Sequence, residues 1–255
     1  NVLASANALG NLAQGGYFMA FGSRVGDHTR MAVSWSNTQS PNQPAFGNQW
    51  ILPQANSVSA GLTTELGQHW MGGVTFDVLN EHNGLLGTTY DSGSAFGLGT
   101  QHTSASLGVS SSLGLWKNAG VLFEASVATT NGAQDSGGLI TGISRLYARS
   151  FGVSFIQRDA FDKGDRFTLS LSQPLSVMAG SLGVLVTSVN GEGIATTHTV
   201  DVSLRPSGQE TDLSAGYSRA WGRASVFASL AGRNNVGNIS GLNDIAVTFG
   251  AALRF

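Results

Sequence analysis

Five histidines, at positions 28, 69, 82, 102 and 198, are the side chains best suited to proton transfer near neutral pH. Two have an acidic neighbour, Asp27 beside His28 and Glu81 beside His82, and serine is plentiful. Together these are the parts of an acyl-transfer site, in which a hydroxyl attacks, an imidazole takes its proton and a carboxylate orients the imidazole. The spacing speaks against that chemistry. Adjacent residues of a strand project to opposite faces, so neither acid–His pair would share a site. The G-x-S-x-G elbow, the P-loop and the H-E-x-x-H pair do not occur. The histidines lack metal-ligand spacing, and with no cysteine there is no thiolate site. The chain is expected not to be an enzyme, with no catalytic residue, no cofactor and no metal.

A second set of residues is more informative. Asp77, Glu124, Asp201, Arg205, Asp212 and Arg254 each interrupt a run in which every second residue is apolar. Trp70, Gly72, Val74, Phe76 and Val78 alternate with a set containing Thr75 and Asp77, and Val121, Phe123, Ala125 and Val127 with one containing Glu124 and Ser126. Val200, Val202 and Leu204 oppose Asp201, Ser203 and Arg205, while Leu213, Ala215 and Tyr217 oppose Asp212, Ser214 and Gly216. Similar runs cover Val58–Leu62, Ala105–Val109, Phe151–Phe155 and Phe167–Leu171. The clearest closes the chain, where Ile245, Val247, Phe249, Ala251, Leu253 and Phe255 alternate with small residues and Arg254. A period of two is the signature of strands with unlike faces.

Composition says what those faces meet. Only 11% of the 255 residues are charged and 35 are glycine, against about 25% charge and roughly 7% Gly in soluble domains. Yet 41% apolar residues, a mean hydropathy of +0.05 and no apolar run of 18 residues leave no membrane helix. A membrane β-barrel reconciles these facts, because only alternate residues meet lipid. Lipid-facing charge is unfavourable, so the six charged residues above are expected to line the lumen. The net charge of -2 offers no basic stripe for nucleic acid. A chain without cysteine suits a protein that crosses an oxidising compartment unfolded. The N-terminus lacks a basic n-region, so this form reads as mature or cut from a longer precursor.

The connections sort by length. Short ones fall at 67–69, 116–118, 162–165 and 221–223, and long polar ones at 39–53, 81–100, 131–145 and 234–243, as in barrels with short periplasmic turns and longer outer loops. Trp70, Trp116 and Trp221 each stand beside a short turn, where indoles are expected in an interfacial girdle. The pattern predicts an all-β, transmembrane, antiparallel up-and-down barrel of about 12 strands over residues 15–255. Residues 1–14, with Val2, Leu3, Ala6, Leu9 and Leu12 at helical spacing before Gly15-Gly16, predict a helix, either inside the lumen, which its lack of charge favours, or a frayed linker remnant outside it.

With these elements in place the chain resembles the β-domain of autotransporters, the translocators of type V secretion. Gly142 to Leu146, Arg158-Asp159-Ala160-Phe161 with Gly164-Asp165-Arg166, Ser172 to Leu175, Arg205 to Glu210 and the ending Ala251 to Phe255 are similar to translocators that follow subtilisin-like serine protease passengers. The resemblance implies a barrel in the outer membrane of a Gram-negative bacterium that enables export of its own N-terminal passenger. It also implies contacts with outer-membrane lipid and lipopolysaccharide, and a terminal strand carrying Phe249, Leu253 and Phe255 that the barrel-assembly machinery reads. A small diffusion channel is the alternative.

Overall fold

The computed structural model describes residues 9, 12, 17–38, 54–82, 84–86, 88–89, 101–134, 138–222 and 224–253. Its strands are β1 (Tyr17–Arg24), β2 (Thr29–Thr38), β3 (Gln54–Gly67), β4 (Trp70–His82), β5 (Gly84–Leu85), β6 (Thr88–Thr89), β7 (Gln101–Trp116), β8 (Ala119–Thr130) and β9 (Ala133–Gln134). They continue as β10 (Ile140–Ile143), β11 (Leu146–Arg158), β12 (Asp165–Ala179), β13 (Ser181–Val189), β14 (Ala195–Ser203), β15 (Thr211–Trp221), β16 (Ala224–Asn234) and β17 (Asp244–Leu253). The protein is all-β. The helix expected over 1–14 lies outside the described residues except for Leu9 and Leu12.

Eleven strands form one antiparallel sheet in the order β1-β2-β3-β4-β7-β8-β11-β12-β15-β16-β17. Each strand pairs with its neighbour in this order, and the connections alternate between the two ends of the sheet. The short ones are 25–28, 68–69, 117–118, 159–164 and 222–223, and the intervening long ones lie at the other end. β1 and β17 are the two edges, so the large sheet has eleven strands where about 12 were expected, and it is not closed among the described residues.

The difference traces to residues 175–205. The alternating run at Val200–Leu204 was expected to be a wall strand, but β14 pairs with β13, and β13 with β10, in a separate four-stranded sheet completed by β9. Gln173-Pro174 is where the chain departs. β12 pairs with β15 only as far as Ser172↔Asp212, and its ladder with β11 shifts by one residue between Phe151↔Gln173 and Arg149↔Ser176. Proline cannot donate to a ladder, so a strand containing it loses a partner or bulges there. Beyond Pro174, β12 keeps only β11 and runs out into the second sheet.

The large sheet has two unlike faces. From β2 to β12 its inner face is enclosed and carries Ser57, Ser59, Thr63, Thr75, Ser104, Ser106, Ser110 and Ser126, all buried. The opposite face exposes Val58, Leu62, Val74, Phe76, Leu107, Val109, Leu169 and Leu171. A soluble sheet buries its apolar face and wets its polar one, so the arrangement here is inverted. Inside-facing pairs are joined by hydroxyl contacts, such as Ser104 Oγ with Thr130 Oγ1 at 2.7 Å and Ser154 Oγ with Ser170 Oγ at 2.9 Å. On the last hairpin the Phe227 ring covers its ladder partner Gly250, where an added Cβ would stand 2.5 Å from the ring. That contact stands in for the missing side chain and pins β17 to β16.

Candidate functional site

The enclosed face is the candidate site, and alternation within each strand decides what reaches it. Asp77 is fully buried there and accepts a hydrogen bond from Ser106 Oγ at 2.8 Å, with Ser59 opposite it in the ladder. Glu124 and Asp212 lie on one continuous ladder row that also holds Arg30, Arg233 and Asp244. The row passes through Thr63, Gly73, Ser110, Glu124, Gly152, Ser172 and Asp212 in turn. Glu124 and Asp212 are thus three steps apart, or about 14 Å at ~4.8 Å per strand. At the end of the row Arg233 Nε donates to Asp244 Oδ1 at 2.7 Å, and a second guanidinium N–H donates to Oδ2 in a bidentate pair. Adjacent residues have no shared row, so this grouping was not visible from sequence spacing.

Asp201 and Arg205 do not lie on this face. Asp201 is an exposed residue of β14 in the second sheet, and Arg205 is exposed just beyond that strand. Arg254 and Phe255 lie outside the described residues. Leu253 pairs with Ala224 in the ladder, and Phe249 projects outward with 83% of its surface exposed.

The outward Trp and Tyr side chains stand toward the two ends. Trp70, Trp116 and Trp221 are all exposed at the short-turn end, on β4, β7 and β15. Trp70 Nε1 donates to Ser111 Oγ at 2.8 Å, Trp116 Nε1 donates to Gln157 Oε1 at 3.0 Å, and the Arg219 guanidinium lies 4.9 Å over the Trp221 ring. Phe155 packs on Trp116, and Phe161 on Phe167 and Tyr217, extending the belt. Tyr17 and Tyr147 are exposed at the other end. Tyr147 and Phe155 are eight residues apart on β11, about 27 Å at ~3.4 Å per residue. Arg149 also faces outward, two residues from Tyr147.

The short-turn end is knotted by Asp165. Its carboxylate accepts the backbone N–H of Ala160 at 2.6 Å, Phe161 at 3.1 Å and Asp162 at 2.9 Å, and the Tyr217 hydroxyl at 3.1 Å. Asp159, at φ 50, accepts Gly164 N–H at 2.7 Å, and Arg219 pairs with Asp162. Asp165→Ala is expected to release the three amides of 160–162, read as loss of their hydrogen-exchange protection. Asp165→Asn, which keeps one acceptor oxygen, should fall between.

At the long-connection end lies an apolar socket. Leu9 is fully buried in one cluster with Ala55, Leu79, Ala128 and Ala148, flanked by Leu12, Leu86 and Leu175. Glu81, two residues from Leu79 on the same face, accepts the Leu86 backbone N–H at 2.7 Å. Leu86 sits at φ 49 and also packs against a second cluster of Leu85, Ile143 and Leu146. Nothing local in the sequence could signal the wall of this socket, which comes from four strands.

The acyl-transfer reading gains little from these placements. Glu81 does face His102 across the β4–β7 ladder, both buried, with Ser104 two residues along. Ser104 Oγ, however, is engaged with Thr130 rather than with the imidazole. Glu81 is buried and His82 exposed, as their opposite faces require, and His28 Nδ1 lies 3.1 Å from Glu65 in an exposed turn. Among the described residues no group of three or more His, Asp or Glu side chains is placed to hold a metal ion. No protein-family model and no curated protein sequence matches the chain.

Proposed function

We propose that the protein is an outer-membrane β-barrel that works as a translocator for an N-terminal passenger polypeptide. One observation carries the membrane reading: the sheet buries hydroxyls and acids on one face and exposes Val, Leu and Phe on the other, between two sets of aromatics. That inversion is stable where the outer surface meets hydrocarbon rather than water. Closure is compatible with parity. Eleven antiparallel strands leave β1 and β17 running the same way, so one further strand antiparallel to both would close the wall at twelve, an even count as such barrels prefer. The translocator reading draws on the resemblance in residues 142–175 and 205–210 and is supported by Leu9, a side chain from outside the sheet packed against its enclosed face.

The test is refolding into lipid followed by two readouts. Gel mobility that changes on heating, with resistance of the sheet to protease, is expected of the barrel; unchanged mobility would reject it. In planar bilayers the occupied mouth predicts a low steady conductance, whereas a large steady conductance would favour the small diffusion channel.

A further inference from the structure

The socket around Leu9 is an apolar island in a hydroxyl-lined wall. Ala128 lies between Ser126 and Thr130 on the inner face of β8, Ala148 precedes Ser150 on β11, and Ala55 precedes Ser57 on β3. Three of its four wall residues are alanine, so the volume that Leu9 fills exists because those walls are short. The wall side chains offer no hydrogen-bond donor or acceptor, so they can recognise only an aliphatic side chain and not the backbone that bears it. The occupant belongs to a segment outside the large sheet, folded locally by a Leu12 N–H to Leu9 O bond of 3.0 Å. Leu86 flanks the socket on one side. At φ 49 it packs against the cluster and donates its N–H to Glu81.

We propose that this socket is a binding site for one aliphatic side chain of a polypeptide threaded through the lumen, and that Leu9 is the side chain resting in it. The proposal rests on the translocator reading. A wall that grips side chains and ignores the backbone would tolerate many sequences and hold whichever aliphatic residue arrives.

The test uses the full chain in detergent with Leu9→Ser, which vacates the socket. Fluorescence anisotropy follows a labelled Gly/Ser peptide carrying one leucine, beside an analogue with serine there. The leucine peptide is expected to bind Leu9→Ser at least about tenfold more tightly than the serine peptide, from burial of one aliphatic side chain. It should also bind more tightly than to the unaltered protein, whose socket is filled. Leu79→Asn in the Leu9→Ser background should erase the preference, and so should Ala128→Leu, which fills the socket from the other wall and keeps the proposal falsifiable if Leu79→Asn fails to fold. Equal binding of the two peptides, or a preference that survives both wall variants, would overturn the site. A protein that discriminates the peptides but does not insert into bilayers would overturn the barrel reading, and one that inserts without discriminating would overturn the socket alone.

Discussion

Val109→Arg is expected to lower the recovery of folded, lipid-inserted protein sharply, while Ser172→Arg leaves it near normal. Val109 is 44% exposed on the outer face of β7, between Val74 and Ala125 in the ladder. In a water-soluble sheet a half-exposed valine replaced by arginine would change stability by about 0.5 kcal/mol or less. Facing hydrocarbon near mid-height, the guanidinium costs about 2–4 kcal/mol, which shifts the folding equilibrium thirtyfold or more at about 1.4 kcal/mol per tenfold. Ser172 lies on the inner face of β12, on the ladder row that carries Glu124 and Asp212. An arginine there meets two carboxylates and a polar lining, so its charge is solvated and paired. The folded fraction after refolding into liposomes, read from heat-modifiable gel mobility, separates the two. Equal recovery of both variants would mean that the outer face does not meet lipid.

What could be read beforehand was the face on which each side chain lies. The two-residue period placed Asp77, Glu124 and Asp212 together on one side and Val74, Val127 and Leu213 on the other, and the sheet keeps them so. Alternation is local, because it follows from the pleat alone. The same reasoning misled at Val200–Leu204, since a two-faced hairpin in a side sheet has the same period as a wall strand. Only the loss of pairing at Pro174 distinguishes the two, and that is a statement about a partner strand. The connection expected at 81–100 likewise began two residues early. Glu81 and His82 belong to β4, and Glu81 then reaches Leu86, a bond between residues with no shared periodicity. The socket was least legible of all. Its walls at 55, 79, 128 and 148 are separated by long stretches of chain, and alanine at those positions looks like any small inner-face residue until the strands are in register.

Leu9→Asp should leave the large sheet intact and open the lumen. Leu9 takes no part in any of the sheet's ladders, and its burial is against side chains of β3, β4, β8 and β11. Burying a leucine fully is worth about 1.5–3 kcal/mol, and an unpaired carboxylate in the same place would incur several more. The sum exceeds the ~2.7 kcal/mol that moves an equilibrium a hundredfold, so the segment should leave the socket in nearly every molecule. Gel mobility should stay heat-modifiable, while steady conductance in planar bilayers should rise and Leu12 should become a site of protease cleavage. Leu9→Met, which preserves an apolar side chain of similar volume, should keep the low conductance. If Leu9→Asp left conductance unchanged with the sheet folded, the residues around Leu9 would not be what narrows the lumen, and the long-connection end would have to be closed by something else.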